Sequence, residues 1–215
     1  STDWIRQRPA FDAPTMGDVV AGDILGVVDC DGDFFHLYYS DGRIGYLAAA
    51  AAEEFSAWCS RAKASETTIV DTAMRFMGLP YLWGGNSLKA TDCSGLVKTV
   101  YFLNGILLPR DADQQSSVGS VAALDSQLTN IRPGDLLFFG HDNKVTHVGI
   151  SLGGMRFIQA SGDVNIKSLN PADADFGPRW AKSFMSARRI IGAGSEQGIG
   201  IVAQLFDRRT EEGQR

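Results

Sequence analysis

Cysteine and histidine are the scarcest reactive residues of this 215-residue sequence, with three of each. Three cysteines (Cys30, Cys59, Cys93) in a chain of this length exclude a disulfide framework, because one bridge at most can form. CxxC and HExxH motifs are absent, as is any Cys/His cluster of zinc spacing, so neither a structural metal nor another cofactor is expected. No uninterrupted apolar run approaches the roughly 20 residues that span a bilayer. The longest bland stretch is the alanine segment 48–52, so no transmembrane segment is expected. A basic excess is missing too: 20 Lys and Arg against 25 Asp and Glu leave a net charge of −5. Nucleic-acid-binding domains usually carry the opposite sign, which argues against a DNA or RNA partner. Repeats and low-complexity segments are also lacking. What is present, 44% hydrophobic and 21% charged residues, suits a folded chain rather than a disordered one.

Residues 1–52 read as short strands (24–29, 34–39 and 43–47) separated by the turn signals Asp31-Gly32 and Asp41-Gly42. That pattern predicts a small, bent barrel. A helical linker over 53–65 follows, with Phe55, Trp58, Cys59 and Ala62 on one face. Ser65 is placed to cap a second helix whose apolar face is Ile69, Ala73, Phe76 and Met77, with Gly78 as its stop. A Gly-rich loop, 80–86, leads to a third helix over 93–103, with Leu96, Val97, Val100 and Leu103 on one face. Beyond it, 136–139, 146–151, 155–160, 164–166 and 184–191 read as strands. Helices followed by strands predict an α+β domain over 66–207 with a mostly antiparallel sheet. The polar segment 208–215 is expected to be a loosely held tail.

Nine Cys–His pairings are available, and position separates them. Cys59, on the apolar side of a helix, reads as a small hydrophobe. Cys30 lies in the turn Asp29-Cys30-Asp31-Gly32-Asp33, which starts like a calcium loop. Phe34 and Ser40 stand where that loop needs Gly and Glu, so a plain hairpin turn accounts for it. His36 in a hydrophobic strand and His141 in a polar turn need only structural or solvent roles. Cys93 opens a helix directly after a loop, where the positive field of the helix start lowers a thiol pKa. Asp92 opposes that shift, so a cationic His nearby is required; the bland alternative is a Cys packing at a helix start. His147 sets an imidazole among β-branched residues of a strand, where a satisfied core histidine is the alternative. A three-residue loop, 152–154, would place Gln159 of the return strand directly opposite His147, able to accept from the imidazole and orient it. A nucleophile at a helix start with base and orienter on adjacent strands is the papain-like arrangement.

Four motifs carry a resemblance. Tyr81-Leu82-Trp83-Gly84-Gly85, Asp92-Cys93-Ser94-Gly95-Leu96, Arg132-Pro133-Gly134-Asp135-Leu136 and His147-Val148-Gly149-Ile150 resemble those of NlpC-type bacterial cell-wall cysteine peptidases. The similarity covers roughly residues 66–191, and the first fifty residues resemble a bacterial SH3-type barrel. Leu108-Pro109-Arg110-Asp111 with Gln114-Gln115, and Ser161-Gly162-Asp163-Val164, resemble a narrower subgroup. These are the γ-D-glutamyl-L-diamino acid endopeptidases (dipeptidyl-peptidase VI type), which cut murein stem peptides bearing a free N-terminal L-Ala. The resemblance implies an SH3-like barrel followed by a papain-like α+β catalytic domain. It implies Cys93 as nucleophile, His147 as base and then acid, and Gln159 as orienter where many relatives carry His. The Cys93 N–H, helped by Tyr81, would stabilise the oxyanion.

The same resemblance places Trp83, Asp92, Ser94, Arg110 and Asp111 near the substrate, with Tyr46 closing the far end of the site. An Asp suits the ammonium of L-Ala, and Ser or Arg suits the γ-D-Glu carboxylate. Alternatives stand beside these roles: Tyr46 and Trp83 as core aromatics, Arg110-Asp111 as a surface ion pair. The implied partners are murein peptides of the L-Ala-γ-D-Glu-diamino acid type. Rival functions are a peptidoglycan-binding protein with an inactive peptidase domain, and a hydrolase of intact peptidoglycan. The start at Ser1 rather than Met fits a removed leader and hence the cell envelope or periplasm, with the cytoplasm as the alternative. Oligomeric state, and diaminopimelate against lysine, stay open at the level of sequence.

Overall fold

Gly32 and Gly42 adopt positive φ (57° and 88°), and each sits in a turn that reverses the chain between strands, as the Asp-Gly pairs require. In the computed structural model, which describes residues 2–204, these turns belong to a first unit ending at Arg61. Its strands are β1 (Thr2–Arg6), β2 (Thr15–Val20), β3 (Val27–Asp31), β4 (Phe34–Tyr38) and β5 (Ile44–Ala48). They pair antiparallel in the order β2-β1-β5-β4-β3 around Ile5, Val19, Leu37 and Leu47. The strands β1 and β2 escape the sequence reading because Asp3, Gly17 and Asp18 interrupt their apolar pattern. Partners such as Leu47, opposite Ile5, secure the strand state instead. Cys30 lies within β3 rather than in the turn, since Asp31 already pairs with Phe34 and only Gly32-Asp33 remain to close the hairpin. The helix α1 (Phe55–Arg61) is shorter than the predicted 53–65, and Cys59 on it is half-buried rather than a core residue.

The second unit starts at Ala62. Ser65 caps α2 (Glu66–Met74): its Oγ accepts from the Thr68 N–H while Thr68 Oγ1 accepts from the Ser65 N–H. Ile69, Ala73 and Phe76 are buried, but Met77 is 41% exposed. The helix ends before Met77, so the 3.6-residue phase no longer aims that side chain inward. Next come α3 (Cys93–Phe102), β6 (Ile106–Leu107), α4 (Ala112–Gln115), β7 (Ser120–Val121) and β8 (Leu136–His141). They are followed by β9 (Lys144–Gly153), β10 (Arg156–Ser161), β11 (Asp163–Ser168), α5 (Pro178–Ser183), β12 (Phe184–Arg189) and β13 (Gly200–Ile201). The chain is thus α+β with antiparallel sheets, as its order of helices and strands predicts. The tail expected at 208–215 lies outside the described residues.

The main sheet runs β11-β10-β9-β8-β12-β7, and α3 packs on β9 and β10. β8 is buried on both faces. Leu136 and Phe138 join the cluster that includes Ile69, Leu96 and Val100; Leu137 and Phe139 join another with Phe157 and Trp180. Each such side chain stabilises the fold by about 1.5–3 kcal/mol, which fixes the sheet as the platform for the loops at its ends. The motif Arg132–Leu136 serves this platform: Asp135, 2% exposed, receives Arg189 Nε and Nη2 at 2.9 and 2.7 Å, tying the start of β8 to the end of β12.

One pairing departs from the sequence expectation. β9 and β10 close on the two-residue turn Gly154-Met155, with Gly153 opposite Arg156 and Leu152 taken up in a bulge. Ser151 then faces Phe157 and Ile150 faces Ile158. Continuing that register, Gln159 falls level with Gly149, not with His147. The offset of two residues keeps Gln159 and His147 on one face of the sheet, as diagonal neighbours.

Candidate active site

The third helix begins where a short polar side chain can close it. Asp92 has extended backbone, and its Oδ1 accepts from the Gly95 N–H at 2.7 Å, making Cys93 the first helical residue. Its Oδ2 accepts from the Gly84 N–H at 2.8 Å, which brings the Gly-rich loop onto the helix start. Gly95 makes this approach possible, because a Cβ there would overlap the Gly85 carbonyl oxygen. Arg110 completes the cluster, donating Nη2 to Asp92 Oδ2 (2.6 Å) and Nη1 to Asp92 Oδ1 (3.1 Å) and Ser94 Oγ (2.9 Å). Buried Gln115 holds the adjoining backbone, donating Nε2 to the carbonyls of Ser94 (3.1 Å) and Pro109 (3.0 Å). Arg110 therefore pairs with Asp92 and not with Asp111. Asp111 is exposed and caps α4, its N–H donating to Gln114 Oε1 at 3.2 Å. With both oxygens of Asp92 engaged in this way, its first task is to hold the nucleophile loop.

On the opposite wall, His147 follows a bulge that takes in Thr146, between the pairings of β9 with Gly140 and Phe139 of β8. Its ring stacks on Trp180 of α5, centroids 4.3 Å apart and planes 23° apart, and lies 5.8 Å from Phe139. His147 Nε2 and Gln159 Oε1 are buried atoms without a hydrogen-bond partner, a donor and an acceptor of matching chemistry. The Gln159 amide raises the imidazole pKa as an accepting neighbour does, although no hydrogen bond between the two is formed. Gln159 in turn donates Nε2 to Asn165 Oδ1 at 2.8 Å, from the residue directly opposite on β11, and Asn165 donates Nδ2 to the Asp163 carboxylate. This chain sets the amide so that its oxygen faces the imidazole.

Burial dominates the electrostatics of the pair. It pushes the Cys93 thiol up, with Asp92 adding to the rise, against the N–H groups of Val148, Ser94 and Cys93 itself. Burial also pushes His147 down to about 4, with the Arg179 charge adding and the Gln159 amide opposing. Both directions favour the uncharged thiol and imidazole over the thiolate with cationic His that the helix-start reading of Cys93 calls for. Burial raises the Asp92 pKa less than the Arg110 guanidinium and the Gly95 and Gly84 N–H groups lower it, so this group stays a carboxylate. Tyr81 is pushed up by burial and by Cys93 and Asp92, which leaves it an O–H donor on the wall.

Cys93, His147 and Tyr81 line one cavity of about 250 Å³, together with His141, Arg179 and Trp180 among others. Such a site can deprotonate a thiol, attack a carbonyl and return the proton to a departing amine. Asp92, Ser94 and Arg110 cluster at the helix start beside Cys93, and Gln159 stands behind His147. Trp83 is 86% exposed, neither a core aromatic nor part of the cavity wall. Tyr46 lies on β5 of the first unit, edge-on to His36 at 4.8 Å. His141, read as a turn residue, lines the cavity as well. Sequence reasoning missed Trp180 and Arg179, for which Pro178 at a helix start was the available signal. It also missed Asn165, legible only through its pairing across the Gly162 turn. Among the described residues no group of three or more His, Cys, Asp or Glu could hold a metal ion, and no helix is long and apolar enough to cross a membrane.

The profile of the NlpC/P60 family matches residues 78–189, more than half of the chain. A γ-D-glutamyl-L-lysine dipeptidyl-peptidase of Bacillus subtilis is 38% identical over 104 residues, 47% of this chain and 34% of the relative. Dipeptidyl-peptidase 6 of Lysinibacillus sphaericus is 30% identical over 174 residues, 77% of this chain and 61% of the relative. The chain thus spans only part of the length of these relatives. A crystal structure of an NlpC/P60 family protein from Bacillus cereus superposes with a TM-score of 0.71 at 26% identity, over 88% of this chain and 61% of that one.

Proposed function

The chain belongs to the NlpC/P60 family, whose peptidases are cysteine peptidases, and from that premise we propose that it cleaves murein stem peptides. The bond is the γ-D-glutamyl–L-diamino acid amide, in peptides with a free N-terminal L-Ala. One observation carries the reading: Cys93 at the start of α3 and His147 at the bulge of β9 line the same cavity, with Gln159 behind the imidazole. His147 takes the Cys93 proton as Sγ attacks the γ-glutamyl carbonyl. The oxyanion develops toward the Cys93 N–H at the helix start, and Tyr81 O–H adds a second donor. His147 then protonates the departing amine, and water cleaves the thioester with the imidazole as base. Ser94 and Arg110 offer donors to the γ-D-Glu carboxylate. The free-amine preference, the role of Tyr46 and the reading of the first unit as an SH3-type module rest on the motif resemblance. The names of the relatives support the substrate class.

The test is mass-spectrometric product analysis on L-Ala-γ-D-Glu-diaminopimelate and its lysine analogue, free and N-acetylated. Cys93→Ala should abolish release of the diamino acid while the fold persists; undiminished turnover refutes the assignment. Equal rates on free and acetylated peptides would remove the free-amine preference. Release from intact crosslinked wall at a comparable rate would favour the broader hydrolase reading.

A further inference from the structure

Chemistry fixes which half of an amide substrate lies where in this cavity. The base that takes the thiol proton must hand it to the departing amine, so the leaving amino acid lies against His147. That wall is built by α5. Trp180 stacks on the imidazole, and the guanidinium carbon of Arg179 stands 4.8 Å from the centroid of the same indole. Arg179 lines the cavity with Cys93 and His147, and no Asp or Glu side chain lines it. It forms no ion pair among the described residues. Arg110, by contrast, has its charge already matched by the Asp92 carboxylate. In a protein of net charge −5, the one permanent charge that the described residues put on the wall of this cavity is a cation without an ion-pair partner among them. A guanidinium resting on an aromatic face presents its planar fork with little further ordering, which suits two-pronged recognition of a carboxylate.

We infer that Arg179 binds a carboxylate of the leaving amino acid, so that the cavity selects peptides whose diamino acid carries a free carboxylate beside the scissile bond. This rests on the murein-peptide reading and deepens it. Two sources supply that chemistry: the terminal α-carboxylate of a tripeptide, and the second carboxylate that diaminopimelate has and lysine lacks. An α-carboxyl engaged in a further peptide bond has lost the first of them.

The experiment compares kcat/KM on three pairs of peptides, for wild type, Arg179→Gln and Arg179→Lys. The pairs are L-Ala-γ-D-Glu-L-Lys and its α-carboxamide, and the diaminopimelate peptide against amides at its α and its distal carboxyl. Wild type should lose about tenfold on amidation of the recognised carboxyl. Arg179→Gln should lose about as much on the unmodified peptide and become indifferent to amidation, with Arg179→Lys in between. Sensitivity at the α-carboxyl identifies the tripeptide terminus as the ligand, and sensitivity at the distal one identifies diaminopimelate. Turnover with no discrimination in any pair overturns the inference and leaves the peptidase reading intact, as does discrimination that survives in Arg179→Gln. No turnover of any peptide overturns both.

Discussion

Replacing Asn165 with leucine should slow the reaction through two intervening groups. Asn165 Oδ1 accepts the Gln159 Nε2 proton at 2.8 Å, and Gln159 is 1% exposed, so its amide has little water to turn to. Loss of the acceptor leaves a buried N–H unpaired, at a cost of about 1–3 kcal/mol to stability. The amide can relieve part of that cost by turning over, which would aim its NH₂ group at His147 Nε2, donor against donor. In the wild type that orientation is disfavoured by roughly the same 1–3 kcal/mol, because Gln159 Oε1 would then face Asn165 Oδ1. With Asn165 gone the two orientations become close in energy, and the competent fraction falls several-fold. The expected result is kcat lower by about two- to tenfold with KM unchanged, together with a displaced acidic limb of the pH profile. Asn165→Asp keeps an acceptor for Gln159 and should hold kcat nearer the wild type, while its charge beside Asp163 lowers stability. Steady-state kinetics on one defined peptide from pH 4 to 8, with urea unfolding of each variant, separates these effects. A leucine variant that loses stability yet keeps wild-type kcat and pH profile would sink the reasoning, since Asn165 would then be a packing residue only.

Acid should act on His147 at lower pH than on an ordinary histidine. Its folded-state pKa near 4, against about 6.5 unfolded, means the unfolded chain binds the extra proton first. The stability that neutral His147 contributes is therefore whole above about pH 6.5 and falls by about 3 kcal/mol as pH drops to 4 and below. Urea unfolding of wild type and His147→Gln at pH 7 and 4.5 should show their difference shrinking by most of that amount; an unchanged difference refutes the depressed pKa. Arg110→Met should leave the Asp92 carboxylate with only its backbone partners, costing about 1–3 kcal/mol. It should also expose Cys93 to the full negative field of Asp92, so that alkylation of Cys93 by iodoacetamide, followed by mass spectrometry, slows; a faster reaction contradicts this.

The α+β class was legible because apolar spacing and Ser65 as a cap are local signals, whereas Gly78, expected as the stop, only turns the chain after a helix that already ends at Met74. Cys93 was legible for a similar reason, since a loop followed by the apolar spacing of Leu96, Val97 and Val100 marks a helix start. The shared face of His147 and Gln159 survived the wrong turn because a slip of two residues preserves parity in a strand. Their register did not survive, as it depends on whether Leu152 pairs or bulges, which tertiary contacts decide. The wall of α5 was hidden for a different reason: a six-residue helix is too short to show a period. Trp180 reaches His147 only through the folding of the chain between them.

The neutrality of Cys93 bears on durability. Peroxides and alkylating agents attack thiolates, so a buried thiol whose pKa is pushed up is a slow target until a substrate draws its proton toward His147. Cys30 has no such shelter on the exposed strand β3. Oxidative wear on this protein should accordingly mark the thiol that does no chemistry before it reaches the one proposed to do it.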